Sequence, residues 1–234
     1  MINKELLKNT AGEIGIELSD LQLEQFDKYA EMLVDWNTKM NLTGITEPDE
    51  IVIKHFVDCL YIFKYTDFPE NASVIDVGTG AGFPGIVMLI ARPDLQIVLL
   101  DSLQKRLNFL QAVLDELKLN ATLVHARCED AGKKVEYRER FDFAVARAVA
   151  PLNILCEYCL PFVKQNGLFV SMKGAKDERA IASNACSLLG AELENNFSYK
   201  LAEENSRNIV HYKKISQTST KYPRNSAKIS KQPL

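Results

Sequence analysis

The strongest chemical signal in this chain is a glycine-rich segment at residues 74–86, which reads Val-Ile-Asp-Val-Gly-Thr-Gly-Ala-Gly-Phe-Pro-Gly-Ile. The β-branched run at its start predicts a strand, and the glycines that follow predict a tight turn. Pro84 then predicts the first residue of an apolar helix. A strand, a turn and a helix start in this order present backbone N–H groups to a ligand.

The spacing of these glycines is also that of a dinucleotide fingerprint. Gly80, Gly82 and Gly85 fit the pattern G-x-G-x-x-G. Asp101 follows at about the expected distance of ~20 residues, at the end of the next apolar strand. From that position its carboxylate is placed to accept hydrogen bonds from two ribose hydroxyls. The fingerprint by itself is therefore compatible with more than one nucleoside cofactor.

Asp76 distinguishes between these ligands. Its carboxylate is predicted at the strand tip, two residues before Gly78, where it would repel a pyrophosphate. It suits a ligand that carries a cationic amine and a sulfonium and no phosphate, which is S-adenosylmethionine. The alternatives are a nicotinamide enzyme and a glycine turn with a structural role only.

The bulk composition describes an ordinary globular protein. The chain has 234 residues, 47% of them apolar and 25% charged, which fits one large α/β domain or a domain with an appendage. Neither a basic, apolar leader nor an apolar run of membrane-spanning length is visible, so we expect a cytoplasmic protein. The five cysteines lack the spacing of a zinc site, and we expect reduced thiols and no metal.

The charge is segregated along the chain. The net charge is −3, but the last 22 residues hold six Lys or Arg and no Asp or Glu, which leaves −9 for residues 1–212. Basic ends of this kind commonly contact phosphate. A solvated terminus that keeps the protein soluble is the alternative.

Hydrophobic periodicity predicts helices over the first ~70 residues and alternating strands and helices after Ser73. Strands are expected near 73–77, 96–101, 121–125, 141–146 and 168–172, with an antiparallel pair near 192–199 and 207–215. Helices are expected near 84–91, 104–118, 151–162 and 177–189. This order predicts a mostly parallel, doubly wound sheet. We divide the chain into a helical extension (1–70), an α/β domain (71–215) and a basic tail (216–234).

Polar residues follow each of the five predicted parallel strands. Because ligands bind outside the carboxyl ends of such strands, these residues are expected to line one cleft. They are Gly78 to Phe83, Asp101-Ser102, Cys128-Glu129-Asp130, Arg147 and Lys173-Gly174.

With these segments identified, the chain resembles the small-subunit ribosomal RNA guanine-N7 methyltransferases, also called glucose-inhibited division protein B. The resemblance runs through nearly the whole chain. It rests on Trp36-Asn37 with Asn41-Leu-Thr43, Lys54-His55 with Asp58-Cys59-Leu60, Val77 to Gly85, Asp101-Ser-Leu with Lys105-Arg106, Ala146-Arg-Ala148 and Lys221-Tyr-Pro-Arg224. Where the family's tail continues with glycine and proline, this chain has Ala227 and Ile229.

The resemblance implies a Rossmann-like S-adenosylmethionine-dependent methyltransferase fold and methyl transfer to N7 of one guanine in 16S rRNA. We predict a monomer that acts on 16S rRNA or a small-subunit particle. The alternatives are a methyltransferase with another substrate and a non-catalytic RNA-binding protein. The predicted cofactor-binding residues are Asp76, Gly78, Thr79, Gly80, Phe83, Asp101, Ser102, Cys128, Glu129 and Arg147. The predicted RNA-binding residues are Lys173, Lys221 and Arg224.

Arg147 is also the predicted catalytic residue. It is expected either to hold the cofactor's carboxylate or guanine O6, or to form a salt bridge to a cleft carboxylate such as Glu129. Guanine N7 has a free lone pair, so its attack needs no strong base and no covalent intermediate. Phe83 is expected to be exposed on its loop, and His55 to have a structural role or to contact RNA.

Overall fold

The computed structural model describes residues 1–201 and 206–234. The described part contains one seven-stranded sheet, with strand order β3-β2-β1-β4-β5-β7-β6. The strands are β1 (Ser73–Val77), β2 (Gln96–Asp101), β3 (Thr122–His125), β4 (Phe141–Arg147), β5 (Val163–Lys173), β6 (Ala191–Lys200) and β7 (Ser206–Lys214).

Ten α-helices are described. They are α1 (Lys4–Glu13), α2 (Asp20–Asn37), α3 (Pro48–Ile51), α4 (Asp58–Tyr65), α5 (Gly85–Ala91), α6 (Gln104–Leu117), α7 (Cys128–Ala131), α8 (Leu152–Cys159), α9 (Arg179–Leu188) and α10 (Ser226–Lys231). None of the described helices combines the length and apolar character that a membrane crossing requires.

The predicted fold class is confirmed. The first five strands pair in parallel, and β7 pairs antiparallel with both β5 and β6. The strand β5 begins earlier than predicted, at Val163 rather than near residue 168. Gly167 lies inside this strand and not just before it, because Val163 already pairs with Phe141 across an irregularity in the β4 register.

The core occupies both faces of the sheet, as a doubly wound fold requires. One apolar cluster joins α1, α2 and α4 to α5, α6 and the sheet. The other joins the sheet to α8, α9 and Tyr222, which lies near the C-terminus. The helices predicted as an extension therefore share a continuous core with the α/β domain.

Two side chains of α2 connect the N-terminal helices to the glycine-rich segment. Ser19 caps α2 in a capping box with Gln22. The Gln22 amide also donates to the carbonyls of Ile90 and Ala91 at the end of α5. Tyr29, which is fully buried, donates its hydroxyl to the Ala81 carbonyl in the glycine loop. The N-terminal helices thus hold both the loop and the helix that follows it.

The helical stretch that starts at Pro48 is interrupted. Residues Val52–Val57 form a π-helical turn between α3 and α4. Such turns are rare and occur mostly at functional sites. In this chain the turn contains Lys54 and His55, both of which contact Arg147.

Candidate functional site

A cavity of about 600 Å³ opens at the carboxyl edge of the sheet. It lies where the strand order turns back at β1 and β4, which is where open α/β sheets bind ligands. Its volume falls within the roughly 300–1,000 Å³ typical of cofactor sites. The glycine loop, Asp101-Ser102, Cys128-Glu129 and Arg147 line it, as the sequence predicted, whereas Asp130 and Lys173 are not among its lining residues.

The glycine loop approaches its neighbours too closely for side chains. Gly82 has a φ of +98°, and a Cβ there would lie 2.6 Å from Ile86 Cγ1 and 2.8 Å from the Tyr29 hydroxyl. Such distances exclude an alanine without movement of the loop. The loop is also tied to β2, since the N–H groups of Gly78 and Thr79 donate to the Leu100 carbonyl.

Asp76 does not line the cavity, and the sequence-based argument for its role is wrong in this respect. Its side chain is completely buried beneath the loop. Oδ2 accepts hydrogen bonds from the Thr79 hydroxyl at 2.7 Å and from the Gly85 N–H at 2.8 Å. Burial raises its pKa to about 6, although both hydrogen bonds act in the opposite direction. Asp76 therefore shapes the loop from below, and its carboxylate does not lie beside the ligand as the sequence predicts.

Asp101 does lie at the cavity, and it already accepts three hydrogen bonds. Oδ2 accepts from Gly80 N–H at 3.0 Å and from Arg106 Nη1 at 3.4 Å, and Oδ1 accepts from Leu103 N–H at 2.9 Å. An ionised carboxylate has about four acceptor sites. A ribose with two hydroxyls would therefore replace the Arg106 contact, which is the longest of the three.

We predict that Asp101→Ala weakens S-adenosylmethionine binding by about 1–3 kcal/mol, because it leaves polar groups of the ligand and of the loop without an acceptor. The matched control is Arg106→Ala, which removes only the longest contact and should leave the affinity close to that of the wild type. Equilibrium dialysis measures both affinities. If Asp101→Ala binds as tightly as the wild type, Asp101 does not hold the ribose.

Cys128 and Glu129 follow β3 and begin the short helix α7. Glu129 is 4% exposed, and its Oε2 accepts from the Cys128 thiol at 3.3 Å. Burial, followed by the neighbouring Glu129 carboxylate, raises the pKa of the Cys128 thiol well above its ordinary value. The thiol is therefore protonated, and Glu129 supplies a second buried carboxylate at the cavity wall.

Arg147 ends β4 and contacts the N-terminal helices. Its Nη1 donates to the Lys54 carbonyl at 3.1 Å and to Asp58 Oδ2 at 2.9 Å, and its Nη2 donates to His55 Nδ1 at 3.0 Å. The predicted salt bridge to Glu129 is not formed, because the carboxylate of Asp58 takes that place. A guanidinium has five N–H donors. Two therefore have no partner among the described residues, and Arg147 lines the cavity.

The contact with Arg147 also determines the state of His55. Because arginine only donates, Nδ1 of His55 must accept, and the ring proton of the neutral imidazole lies on Nε2. Nε2 then donates to the Thr43 hydroxyl at 2.8 Å. Burial, together with the charge of Arg147, lowers the pKa of His55 to about 3. His55 is thus neutral with both nitrogens engaged, which makes it a positioning residue.

Phe83 is buried, with 7% of its surface exposed, whereas the sequence analysis placed it on an exposed loop. Its ring stacks on His55 at a centroid distance of 4.4 Å and lies 5.0 Å from the Arg147 guanidinium. The stacked rings and the guanidinium form one surface at this end of the cavity.

Two further residues of this end were not predicted as site residues. Thr43 lines the cavity because Asn37 Oδ1 accepts the N–H groups of Leu42 and Thr43 and so fixes the turn after α2. Asp58 lies behind Arg147, is 4% exposed, and also binds Tyr199 and Arg207. The sequence motifs that contain Asn37, Thr43 and Asp58 were the signals that could have identified both residues.

Two of the three predicted RNA-binding cations are paired within the protein. Lys173 lies 3.0 Å from Glu178 Oε2 and donates to the Ala150 carbonyl. Arg224 forms a bidentate ion pair with Glu157, whose side chain is 1% exposed. Arg224 is therefore an anchor of the C-terminal residues, in contrast to the free tail cation that the sequence suggested. Lys221 is exposed.

The C-terminal residues are ordered against the rest of the protein. Lys214 is completely buried in an ion pair with Glu139, and Ile229 of α10 is completely buried as well. Ser226 and Ser230 line the cavity. Within residues 1–201 and 206–234, no group of three or more His, Cys, Asp or Glu side chains is arranged to hold a metal ion.

Solved structures share this fold. The fibrillarin of Aeropyrum pernix, solved with bound S-adenosyl-L-methionine, aligns with a TM-score of 0.54 over 68% of this chain and 75% of that chain, at 12% sequence identity. TYW2 of M. jannaschii, solved in complex with AdoMet, aligns with a TM-score of 0.51 over 86% of this chain and 80% of that chain, at 15% identity.

Relatives of known name are far more similar in sequence. The ribosomal RNA small subunit methyltransferase G of Alkaliphilus oremlandii is 46% identical over 99% of this chain and 98% of that protein. The protein of the same name from Acetivibrio thermocellus is 46% identical over 99% of this chain and 96% of that protein. The GidB family model, described as rRNA small subunit methyltransferase G, matches residues 22–210. By this match and by these relatives, the chain belongs to the GidB family.

Proposed function

We propose that this protein transfers the methyl group of S-adenosylmethionine to N7 of a guanine in the 16S rRNA of the small ribosomal subunit. The observation that carries the proposal is the cavity at the turning point of the sheet, with Asp101 on one side and Arg147 on the other. The names of the relatives support the class of substrate. The choice of N7 rests on the family resemblance.

The lining residues fit this cofactor. The buried carboxylates of Asp101 and Glu129 are acceptors for hydroxyl and amino groups. Arg147 retains two donors for a carboxylate or for guanine O6. When bound, S-adenosylmethionine supplies an electrophilic methyl group on sulfur.

The protein's own contribution is to orient and enclose the reactants. Guanine N7 carries its lone pair in the neutral base, so no proton has to leave before attack. His55 is neutral with both nitrogens engaged, and the Cys128 thiol is protonated, so neither is required as a base or a nucleophile. Arg147 and the rings of Phe83 and His55 would hold the reacting groups in line.

The direct test is methylation of small-subunit RNA. Purified protein is incubated with labelled S-adenosylmethionine and with either free 16S rRNA or assembled small subunits, both from cells that lack the corresponding gene. Nuclease digestion and mass spectrometry should detect one 7-methylguanosine. A product methylated at another atom would overturn the N7 assignment, and the absence of transfer to either RNA would overturn the substrate class.

A second prediction concerns Cys128. We expect Cys128→Ala to keep its activity, with at most about a fivefold loss, because the thiol is a weak donor and its one hydrogen bond to Glu129 contributes about 1 kcal/mol. The control is Cys186→Ala, at a buried thiol that does not line the cavity. If the Cys128→Ala protein folds but transfers no methyl group, while the Cys186→Ala control is active, the prediction is contradicted. The reaction would then depend on the Cys128 thiol as a nucleophile or thiolate.

RNA binding is proposed to involve Lys221 together with Lys228 and Lys231, all exposed. Replacing all three by alanine should weaken rRNA binding and flatten the slope of log K against log salt by about 2–3 units, at roughly 0.7–0.9 per phosphate contact. A double alanine variant at Lys8 and Lys39 is the control. Equal slopes for the triple variant and the wild type would place the RNA elsewhere. Removal of the whole C-terminal segment is not a clean test, because Ser226 and Ser230 would be lost with it.

We propose that the protein acts as a monomer, since the groups that the proposed chemistry uses, from the glycine loop through Asp101 to Arg147, already line one cavity of a single chain. We also propose a cytoplasmic location, which the free cysteines and the ribosomal RNA named for the relatives support.

A further inference from the structure

The C-terminal segment, defined here as residues 218–234, is fastened at its start by the side chain of Arg138, in addition to hydrogen bonds from Thr218 to Glu139 and Leu189. Arg138 lies between α7 and β4, and its two terminal nitrogens donate only to backbone carbonyls. These carbonyls belong to Gly132 at 3.0 Å, Thr218 at 2.6 Å, Ser219 at 3.2 Å and Tyr222 at 2.9 Å. Three of the four lie in the C-terminal segment, so Arg138 sets the path of that segment past α7.

A buried ion pair holds the next part of the segment. Arg224 Nη2 lies 2.6 Å from Glu157 Oε2, and Arg224 Nε lies 2.9 Å from Glu157 Oε1. The backbone N–H of Arg224 also donates to Glu157 Oε1 at 2.7 Å. The Glu157 side chain is 1% exposed, and Ile229 is completely buried. Breaking such a pair leaves a buried charge without a partner, so the segment is held in a defined position.

This anchoring places one face of α10 on the cavity. Ser226 and Ser230 are four residues apart and therefore lie on the same face of the helix. Both line the cavity, together with Ile154 and Tyr158, which are spaced in the same way on α8. The cavity thus has a wall that is formed by α8 and α10 and that lies outside the sheet.

The order of the strands identifies the part of the ligand that this wall meets. Along the sheet edge the sequence of groups is Arg147 after β4, the glycine loop after β1, Asp101 after β2 and Cys128 after β3. With the ribose at Asp101 and the amino-acid end towards Arg147, the nucleobase lies at Cys128.

Two observations place the C-terminal segment at this Cys128 end. Pro223 Cγ lies 3.3 Å from the position that a Cβ would have at Gly132, immediately after α7. Tyr158 and Cys128 pack against the same apolar cluster, as does Leu234 at the end of the C-terminal segment. Tyr158, α7 and the C-terminal segment are therefore neighbours.

We propose that the C-terminal segment is a fixed wall of the cofactor site and that Ser226 and Ser230, with Tyr158, enclose the nucleobase of the bound nucleoside. This inference rests on the proposed function, since it takes the ligand to be S-adenosylmethionine. The segment then has two faces with separate tasks. Its serines meet the cofactor, and its exposed lysines lie on the solvent side.

The test introduces a large side chain at Ser230, where it would occupy the part of the cavity next to α10. Ser230 is exposed in the structure. Ser230→Trp should weaken the binding of S-adenosylhomocysteine by at least about tenfold, measured by calorimetry. The matched control is Ala227→Trp, at an exposed residue of the same helix that lies outside the cavity lining, which should bind like the wild type. Adenosine, titrated as a competitor, should lose affinity by the same factor, because the affected contact lies at the nucleobase.

Limited trypsin digestion of the wild type gives a second readout that needs no variant. Saturating S-adenosylhomocysteine should slow cleavage at Lys221, Lys228 and Lys231 by at least about tenfold more than cleavage at Lys39, an exposed residue of the N-terminal region. This digestion decides the matter if Ser230→Trp does not fold.

The outcomes separate the two proposals. A wild-type protein that binds no S-adenosylhomocysteine would overturn the proposed function. A wild type that binds it, with equal affinity in Ser230→Trp and equal protection at all four lysines, would overturn only the wall. A loss for S-adenosylhomocysteine without a loss for adenosine would move the segment to the amino-acid end and overturn the nucleobase assignment.

Discussion

Asp58→Asn is expected to lower the rate of methyl transfer by at least about 100-fold, although Asp58 does not line the cavity. Its Oδ2 holds Arg147 at 2.9 Å, while its Oδ1 accepts from the Tyr199 hydroxyl at 3.0 Å and lies 3.3 Å from Arg207 Nε. Without the carboxylate, two guanidinium groups face an uncharged amide, and Arg147 moves. A displacement of about 1 Å at a positioning group can cost about 100-fold in rate.

Two measurements on Asp58→Asn separate its effect on the position of Arg147 from its effect on the stability of the protein. Steady-state kinetics should show the loss mainly in kcat, and thermal unfolding should show a destabilisation of about 3–5 kcal/mol from the uncompensated buried charges. The control is Arg207→Ala, which leaves the Arg147–Asp58 pair intact and should retain more than about a tenth of the activity. Wild-type kcat in Asp58→Asn would show that Arg147 is held by its other contacts or is not needed.

Gly85→Ala is expected to destabilise the protein, because a Cβ at Gly85 would make the shortest contact found at any of the eleven glycines. A Cβ at Gly85 would lie 2.3 Å from Leu99 Cδ2 and 2.7 Å from Asp76 Oδ2. The added methyl group must push α5 away from β1, and the hydrogen bond from Gly85 N–H to Asp76 is then lost. We expect a destabilisation of about 2–4 kcal/mol, from overpacking together with the lost hydrogen bond.

The loop that binds the cofactor should move with α5, so S-adenosylhomocysteine binding should fall as well. Gly12→Ala is the matched control, because nothing lies within 4 Å of a Cβ at that position in α1. Alanine there should be neutral or stabilising by about 0.5–1 kcal/mol. Urea unfolding and calorimetric titration of both variants measure these effects. Equal stability of the two variants would mean that the packing beneath the loop relaxes without cost.

The elements of the sheet followed from local sequence. Each parallel strand contains a short apolar run that is followed within a few residues by a glycine or a polar residue, and these residues are close to the run in the chain. Their placement at one edge then follows from parallel topology alone. For this reason the predicted ends at Gly78, Asp101, Cys128 and Arg147 all line the cavity. Lys173 has the same local pattern but binds Glu178, because the loop after β5 turns back towards it.

The direction in which a side chain at a strand end points, into the cavity or beneath the loop, was not predictable in the same way. Asp76 lies two residues before the loop and has the residue type of a ligand-binding group. It nevertheless projects beneath the loop towards Gly85, nine residues further along the chain. The pleat of β1 and the path of α5 together decide this orientation, and both depend on packing across the sheet.

The sequence by itself determined the fold class, the carboxyl ends of the strands and nine of the residues at the cavity, because these depend on periodicity and on the residues at each strand end. Only the tertiary structure decided what those residues contact. Arg147 meets Asp58, which lies 89 residues away in the chain, and Arg224 meets Glu157, 67 residues away. A buried charge binds whichever opposite charge the folded chain brings within about 3 Å, and no local pattern encodes that distance.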